Sequence, residues 1–282
     1  MIITSKEKIA MVTGSSSGIG YETALLLARN GCDTYATMRN TNKSKEIIDV
    51  AKNDSLPLQV LELDVTSDKS VWNAITKIAR EKGRIDIVVN NAGYSSAGSV
   101  EDSSIDEIKA QFETNFFGAF RVMHAVIPIM RGQKSGTIVN ISSIVGKVAF
   151  PLGAAYASSK FALEGLSESV RYEGEQFGIN VILIEPGLIR TKIGENFKIA
   201  KNAKSPDSPY AQLMQKILTG FESSLENASP PTEVADVILK AVTSNNPEPR
   251  YLVGNDAIAL MDTRKNNSDK DFEKIMLDNL LP

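Results

Sequence analysis

Runs rich in apolar residues alternate with helical periods along most of this chain, and no other feature narrows the possible folds as far. Ile9–Thr13, Cys32–Met38, Leu58–Leu63 and Ile85–Val89 are such runs. Between them, Gly18–Asn30 carries Ile19, Ala24, Leu27 and Ala28, and Lys69–Arg80 sets Val71, Ala74, Ile75 and Ile78 at i, i+3, i+4 and i+7. Strands that alternate with helices build βαβ units, which require a parallel sheet with helices on both faces. Runs that do not alternate polar with apolar suit strands buried on both sides.

The second half continues the pattern. Ile105–Met130 reads as one long helix with Ile108, Phe112, Phe116, Ala119, Phe120, Met123 and Ile127 on one stripe. Thr137–Ile141 reads as a strand, Ala155–Phe177 as a helix and Val181–Glu185 as a strand. Ser229-Pro-Pro-Thr opens a helix with Val234, Val237, Ile238 and Ala241 on one face, and Arg250–Val253 is a last strand. There is no Pro/Gly/Ser-rich linker and no internal repeat. The expectation is an α/β fold: one domain over residues 1–282, a doubly wound parallel sheet of about seven strands.

Two segments depart from this regularity. Residues 189–228 hold Lys, Asn, Ser and Pro clusters around a short helical stretch. They read either as a substrate lid or as a solvated insertion. Residues 255–282 are charged and weakly periodic. Composition excludes several classes of function. With 31 Lys+Arg against 34 Asp+Glu, there is no basic excess for a broad nucleic-acid footprint. The single Cys32 excludes an intramolecular disulfide, and the single His124 excludes a multi-His metal site. No apolar run reaches the ~20 residues of a membrane span, and the start has no long apolar leader segment. The expected setting is the cytoplasm. Cys32 reads as inert, Trp72 as packing and His124 as a surface or interface residue.

Thr13-Gly14-Ser15-Ser16-Ser17-Gly18-Ile19-Gly20 lies between the first strand and the first helix. Glycines allow a sharp turn and a close approach to the backbone, while the helix start offers unpaired N–H groups and a positive dipole end, a combination that suits a phosphate. It is not an ATP-type loop, because no Gly-Lys-Ser/Thr follows. The spacing is Gly-x-x-x-Gly-x-Gly, and here the chain resembles the short-chain dehydrogenase/reductase family. Asn90-Asn91-Ala92-Gly93, Asn115, Ser143, Tyr156, Lys160 and Pro186-Gly187 follow in that family's order. The nearest likeness is to the branch with 17β-hydroxysteroid and retinol dehydrogenases. It is carried by Tyr-Ala-Thr-Met-Arg at 35–39 and Tyr-x-x-Ser-Lys-Phe-Ala-Leu-Glu-Gly at 156–165.

The resemblance implies a Rossmann-type fold and a nicotinamide cofactor held by Gly14, Ser15, Ser16, Ser17, Gly18, Ile19 and Gly20. Asp64 and Val65 would meet the adenine, and Asn91, Ala92 and Gly93 would line the adenosine side. Pro186, Gly187, Ile189 and Thr191 would hold the carboxamide. An acidic residue ending the second strand would favour NAD(H) by repelling a 2′-phosphate. That position here is Met38, followed by Arg39, whose guanidinium can grip a phosphate. NADP(H) is therefore expected over NAD(H), with Ser15 as a further hydroxyl donor. The residues alone also admit Arg39 as a solvated strand-end charge.

Tyr156 and Lys160, four apart on a helix, share a face distinct from the Ala162, Leu166 and Val170 stripe. Tyr-x-x-x-Lys alone is weak, since the 7 tyrosines give roughly 0.7 chance hits. Carbonyl reduction needs a proton donor for the oxyanion that forms as hydride reaches carbon. Bringing a tyrosine from pKa ~10 to ~7 takes about 4 kcal/mol of phenolate stabilisation, which a neighbouring ammonium together with the positive nicotinamide of the oxidised cofactor is expected to provide. Tyr156 and Lys160 would also touch the cofactor. Ser143 would hold the substrate oxygen. Asn115 is either a satisfied core amide or, by the resemblance, the holder of a water that relays protons to Lys160.

The resulting expectation is an NADP(H)-dependent oxidoreductase acting on a small-molecule carbonyl or alcohol. A nucleotide-sensing regulator on the same fold is the alternative. Ile193, Phe197, Tyr210, Leu213, Met214 and Ile217 suggest a lid over a partly apolar steroid-, retinoid- or lipid-like substrate. The helices at 105–130 and 155–177 resemble those that pair in family homodimers and homotetramers. No nucleic acid, membrane span or metal is expected.

Overall fold

The computed structural model describes residues 8–191 and 197–280. The chain runs β1 (Ile9–Thr13), α1 (Gly18–Arg29), β2 (Asp33–Met38), α2 (Lys45–Asn53), β3 (Leu58–Glu62), α3 (Asp68–Lys82), β4 (Ile87–Asn90) and β5 (Ser95–Ala97). Then come α4 (Ile105–Phe112), a π turn (Glu113–Phe117), α5 (Gly118–Gln133), β6 (Gly136–Ile141), α6 (Ala154–Glu175), β7 (Ile179–Pro186) and β8 (Phe197–Ile199). It ends with α7 (Ala211–Ser224), α8 (Pro231–Thr243), β9 (Arg250–Val253), α9 (Asn255–Asn266) and α10 (Asp269–Leu280).

Seven strands form one sheet in the order β3-β2-β1-β4-β6-β7-β9, and every pairing is parallel. Side chains alternate across it, as the strand repeat of two demands. Ala10 and Val12 of β1 face a layer built on α1, α2 and α8, through Leu27, Ile47, Val234 and Ile238. Ile9 and Met11 face α3 and α5, through Val71, Ile75, Val122 and Val126. With both faces covered, the doubly wound α/β sheet read from the apolar runs is the observed architecture. The chain order reverses between β1 and β4. The loops after those strands therefore diverge and leave a crevice at their carboxyl ends, where ligands of such sheets bind.

Three expectations need correction. The helix at 105–130 is interrupted by the π turn, whose wider repeat shifts the phase of the residues that follow. The buried side of this segment runs through Gln111, Asn115, Gly118, Ala119, Val122, Met123, Val126 and Met130. Phe120 of the expected stripe is exposed, and Ile108, Phe112, Phe116 and Ile127 are only half-buried. Residues 255–280 fold as α9 and α10 rather than as an irregular tail. The expected lid contributes a second, two-stranded parallel sheet, β5 with β8, that the period analysis missed because each strand has only 3 residues.

The core predicts a clear cost. Ile138 of β6 is fully buried against α3 and α5. Ile138→Ala should lower unfolding stability by roughly 2–5 kcal/mol, read as a shift in denaturant midpoint at unchanged slope.

Candidate active site

The glycine turn is fastened from across the crevice. Thr13 Oγ1 accepts the Asn91 and Ala92 N–H groups, each at 3.0 Å, and Asn91 Nδ2 donates to the Thr13 and Gly14 carbonyls at 2.9 and 3.1 Å. Gly20 is required for this approach: a Cβ there would stand 2.4 Å from Asn91 Nδ2 and 2.5 Å from the Gly14 carbonyl. Asn91 thus shapes the turn as well as flanking it, a task its place after β4 did not reveal. Ser17 starts α1 without capping it, which leaves first-turn amides open to a ligand. Ser16 and Ser17 are half-exposed, and Ile19 packs against the core.

Ser15 departs from expectation. It is fully buried, and its hydroxyl donates to the Val12 carbonyl at 2.9 Å. A hydroxyl has one proton, so Ser15 has none left for a 2′-phosphate. Its place is inside the turn. Arg39 by contrast is exposed just past the end of β2, next to the buried Met38, and among the described residues no carboxylate pairs with it. Asp64 Oδ1 accepts from the Thr66 N–H at 2.9 Å and the Thr66 hydroxyl at 2.8 Å, fixing the turn after β3. Val65 is buried against Gly118.

The opposite wall is built on β6, β7 and α6. Ser143 Oγ, just past β6, accepts from the Val145 N–H at 3.2 Å and donates to the Pro186 carbonyl at 3.3 Å. It also lies beside the Tyr156 phenol. Lys160 is 7% exposed, and its ammonium donates to the Ile141 carbonyl at 2.7 Å while standing 5.8 Å from the centre of the Tyr156 ring. Burial pulls the Lys160 amine down to about 8, and the Glu164 carboxylate opposes the pull. Burial pushes the Tyr156 phenol above its ordinary value, with the Ser143 hydrogen bond opposing.

The expected acidification of the phenol joins Lys160 to a positively charged nicotinamide, and in the protein alone burial outweighs the opposing effect of Ser143. The ammonium sits at the ring with one donor on a carbonyl, and burial dominates the phenol. Asn115 lies in the π turn, 2% exposed. Its Oδ1 accepts the Tyr94 N–H at 3.1 Å, and its Nδ2 donates to the Tyr94 carbonyl at 3.0 Å and to Ser159 Oγ at 3.2 Å. Both amide hydrogens are thus used within the protein, and one lone pair of Oδ1 remains. Ser159 and Tyr94, which fix this amide beside Lys160, were not singled out from sequence.

The segment after β7 closes the ring. Gly187 N–H donates to the Val253 carbonyl at 2.8 Å, Arg190 N–H to the Ser229 carbonyl at 2.8 Å, and Ile189 is buried. Thr191 reaches the glycine turn: a Cβ on Gly18, which has φ +60°, would lie 3.1 Å from its methyl carbon. Leu188 N–H donates to Asp256 Oδ2 at 2.7 Å, so the first turn of α9 steadies this segment. Asp256 is 68 residues from Leu188 and carries no local signal.

Of the apolar residues assigned to the lid, Ile193 lies outside the described residues. Phe197, Tyr210, Leu213, Met214 and Ile217 pack together with Ala97, Leu152, Ala200 and Ala203 as a small third core. Those side chains serve the lid's own stability as well as any surface it presents. Polar ties hold it to the body: Ser208 Oγ donates to Asp102 Oδ2 at 2.8 Å, Lys201 N–H to Glu107 Oε1 at 2.9 Å, and Lys198 Nζ stands 4.2 Å over the Tyr94 ring.

The glycine turn, the crevice and the Ser143–Tyr156–Lys160 wall thus occur together at the carboxyl end of one parallel sheet. Residues 8–202 match the family model described as short chain dehydrogenase. The chain belongs to the short-chain dehydrogenase family. Within it, the chain is 35% identical over 250 residues to bovine (Bos taurus) retinol dehydrogenase 8, covering 85% of this chain and 79% of that protein. It is 32% identical over 255 residues to mouse (Mus musculus) 17-beta-hydroxysteroid dehydrogenase type 1, covering 88% of this chain and 74% of that one. The likeness to that branch read from residues 35–39 and 156–165 is thus shown over most of the chain. Among solved structures, a short-chain dehydrogenase from Streptomyces avermitilis superposes with a TM-score of 0.81 at 29% identity, covering 97% of this chain and 98% of its own. ElxO, solved with NADP bound, superposes with a TM-score of 0.74 at 26% identity, covering 90% of this chain and 99% of its own. No helix among the described residues is long and apolar enough to cross a membrane.

The Asp256 clamp is testable without any ligand. Asp256→Ala should leave the fold intact, cost about 0.5–1.5 kcal/mol, and speed amide hydrogen exchange at Leu188, read by exchange mass spectrometry.

Proposed function

We propose that this chain is an NADP(H)-dependent oxidoreductase that interconverts a carbonyl and a secondary alcohol. One observation carries the reading: Ser143, Tyr156, Lys160 and Asn115, from three separate elements, surround one wall of the crevice whose other wall is the glycine turn. The residues fit a dinucleotide. The turn is closed to side chains at Gly20 and open to a ligand at the α1 amides, and Thr191 bridges from the β7 segment to Gly18. Bound there, a nicotinamide supplies or accepts hydride.

The chain's own groups manage the oxygen and the proton. Tyr156 offers its hydroxyl to a substrate oxygen, and Ser143 joins it by turning its one proton from the Pro186 carbonyl to that oxygen. In the reductive direction Tyr156 gives its proton to that oxygen as negative charge grows on it. Lys160 holds a cation beside the phenolate left behind. The Ile141 carbonyl uses one ammonium donor, and the other two are free to face the site. The buried phenol gives up its proton only when further positive charge stands in the crevice, which ties the proton step to an occupied site.

Arg39 supports NADP(H) over NAD(H), since an exposed guanidinium beside an apolar Met38 attracts rather than repels a 2′-phosphate. The NADP bound by ElxO agrees with this choice. A partly apolar substrate is supported by the relatives named for retinol and hydroxysteroids, and by Leu152 and Phe197 at the lid's inner core. Association into a homodimer or homotetramer is supported by Phe117, Phe120 and Phe161, which expose 44%, 45% and 46% of their surface on the paired helices expected to meet.

Tyr156→Phe should reduce turnover roughly 100- to 10,000-fold at unchanged melting temperature, followed by NADPH absorbance with a panel of ketones and aldehydes. Turnover that survives this change sinks the assignment. Arg39→Asp should raise KM for NADPH at least about tenfold while sparing NADH, the equivalent of one lost charge-assisted contact. Phe120→Asp should shift light-scattering mass toward the monomer if the aromatic face is the interface.

A further inference from the structure

Two buried carboxyl groups stand outside the machinery described so far. Glu164, one helical turn beyond Lys160 on α6, is 5% exposed, and Glu185, next to Pro186 on β7, is 3% exposed. Arg250 of β9 reaches both: its Nε lies 3.3 Å from Glu164 Oε2 and 3.3 Å from Glu185 Oε1, while its Nη2 pairs with Glu168 at 2.8 Å. The Glu185 contact is an ion pair without hydrogen-bond alignment. Glu164 Oε1 and Glu185 Oε1 are both fully buried with no hydrogen-bond partner among the described residues. Two ionised carboxylates can only accept, so neither can satisfy the other. Both carboxyl groups reach the same Arg250 Nε, and a proton held between them would relieve the unpartnered oxygens.

We propose that Glu164 and Glu185 hold one proton between them beneath Arg250, and that this pair is the counter-charge that keeps the Lys160 ammonium ionised. The shared proton rests on the common Arg250 contact and the two unpartnered buried oxygens, whereas its consequence for turnover rests on the oxidoreductase reading above. Glu164 and Glu185 are thus positioning residues, acting through Lys160.

The charged groups around the pair come from every side. Lys160 and Glu168 lie on α6, Glu185 on β7, Arg250 on β9, and Lys147 follows the 3-10 turn after Ser143. Burial and the Glu164 carboxylate push the Glu185 carboxyl up to about 7, against Lys147 and Arg250. Below that pH the pair carries one negative charge, and Glu164 already opposes the burial that drains charge from Lys160. As the pH passes 7 the pair loses its proton and gains a second negative charge. A hollow of about 130 Å³ bounded by Glu168, Arg171 and Tyr172 brings solvent to Arg250.

Because the folded carboxyl titrates above its unfolded value, the stability that protonated Glu185 contributes is present at low pH. It is lost as the pH rises through about 7. Glu185→Gln keeps a hydrogen-bond donor and removes the titration. Its melting temperature relative to wild type should therefore rise between about pH 5 and about pH 8. Infrared difference spectra of the intact wild-type protein should show a buried protonated-carboxyl band below about pH 6 that is lost above about pH 8 and absent in both Glu185→Gln and Glu164→Gln.

In Glu164→Gln, the Lys160 side-chain carbon signal should titrate at least about half a pH unit lower than in wild type, and the alkaline limb of turnover should move with it. A wild-type protein without the carboxyl band overturns the shared proton. A Lys160 titration unmoved in folded Glu164→Gln overturns the counter-charge. Both readouts are obtained without substrate, so failure of the oxidoreductase assignment would appear separately, as absent turnover with the band and the titration intact.

Discussion

The lacing of β1 to β4 is the constraint on which the site depends. A doubly wound sheet has a gap where its chain order reverses, and a gap between two diverging loops has no reason to keep one shape. Thr13 and Asn91 give it one. One hydroxyl and one amide tie the last residue of β1 to the first residues after β4, and the absent Cβ of Gly20 lets them meet. The glycine turn is consequently held from both sides, by its own backbone and by the neighbouring strand. The preorganisation that a ligand would otherwise have to provide is already in the fold.

The second demand on the structure is a buried cation. An ammonium in a dry site is costly unless it is hydrogen-bonded and faced by negative charge. Lys160 has the Ile141 carbonyl for the first and the Glu164 carboxylate for the second. Its amine is nevertheless held near 8, so the compensation is incomplete. The same burial raises the phenol of Tyr156. Burial thus works against the charged form of each group: the phenol holds its proton more tightly than in water, and the ammonium holds its own less tightly.

The segment from Phe197 to Ala228 shows how one set of residues serves two ends. Its apolar side chains make a small core with Ala97 and Leu152, and its polar ones bind Asp102 and Glu107. A segment anchored at both levels presents a defined wall beside Tyr94, whose backbone in turn fixes Asn115. This segment, the π turn and α6 therefore form a continuous support around Lys160.

Local sequence determined the sheet and the order of the site. Apolar runs and helical periods reflect neighbours within a few residues, and those neighbours decide whether a segment is a strand or a helix. Arg250–Val253 and the Pro-initiated α8 are found where their own residues placed them. The glycine turn, Ser143, Tyr156 and Lys160 were legible because together they follow the order of a known family, although no single spacing among them is specific. What only the tertiary structure decided are meetings between distant segments: the phase of the helix beyond the π turn, the Ser15 hydroxyl turned onto Val12, and Asp256 on the Leu188 amide. The convergence of Glu164, Glu185 and Arg250 from a helix and two strands is of the same kind. Periodicity says which side of an element is apolar but not what will stand opposite it. That is settled by packing, where a hydroxyl, a carboxylate or an aromatic ring finds its partner only after the sheet has brought the two together.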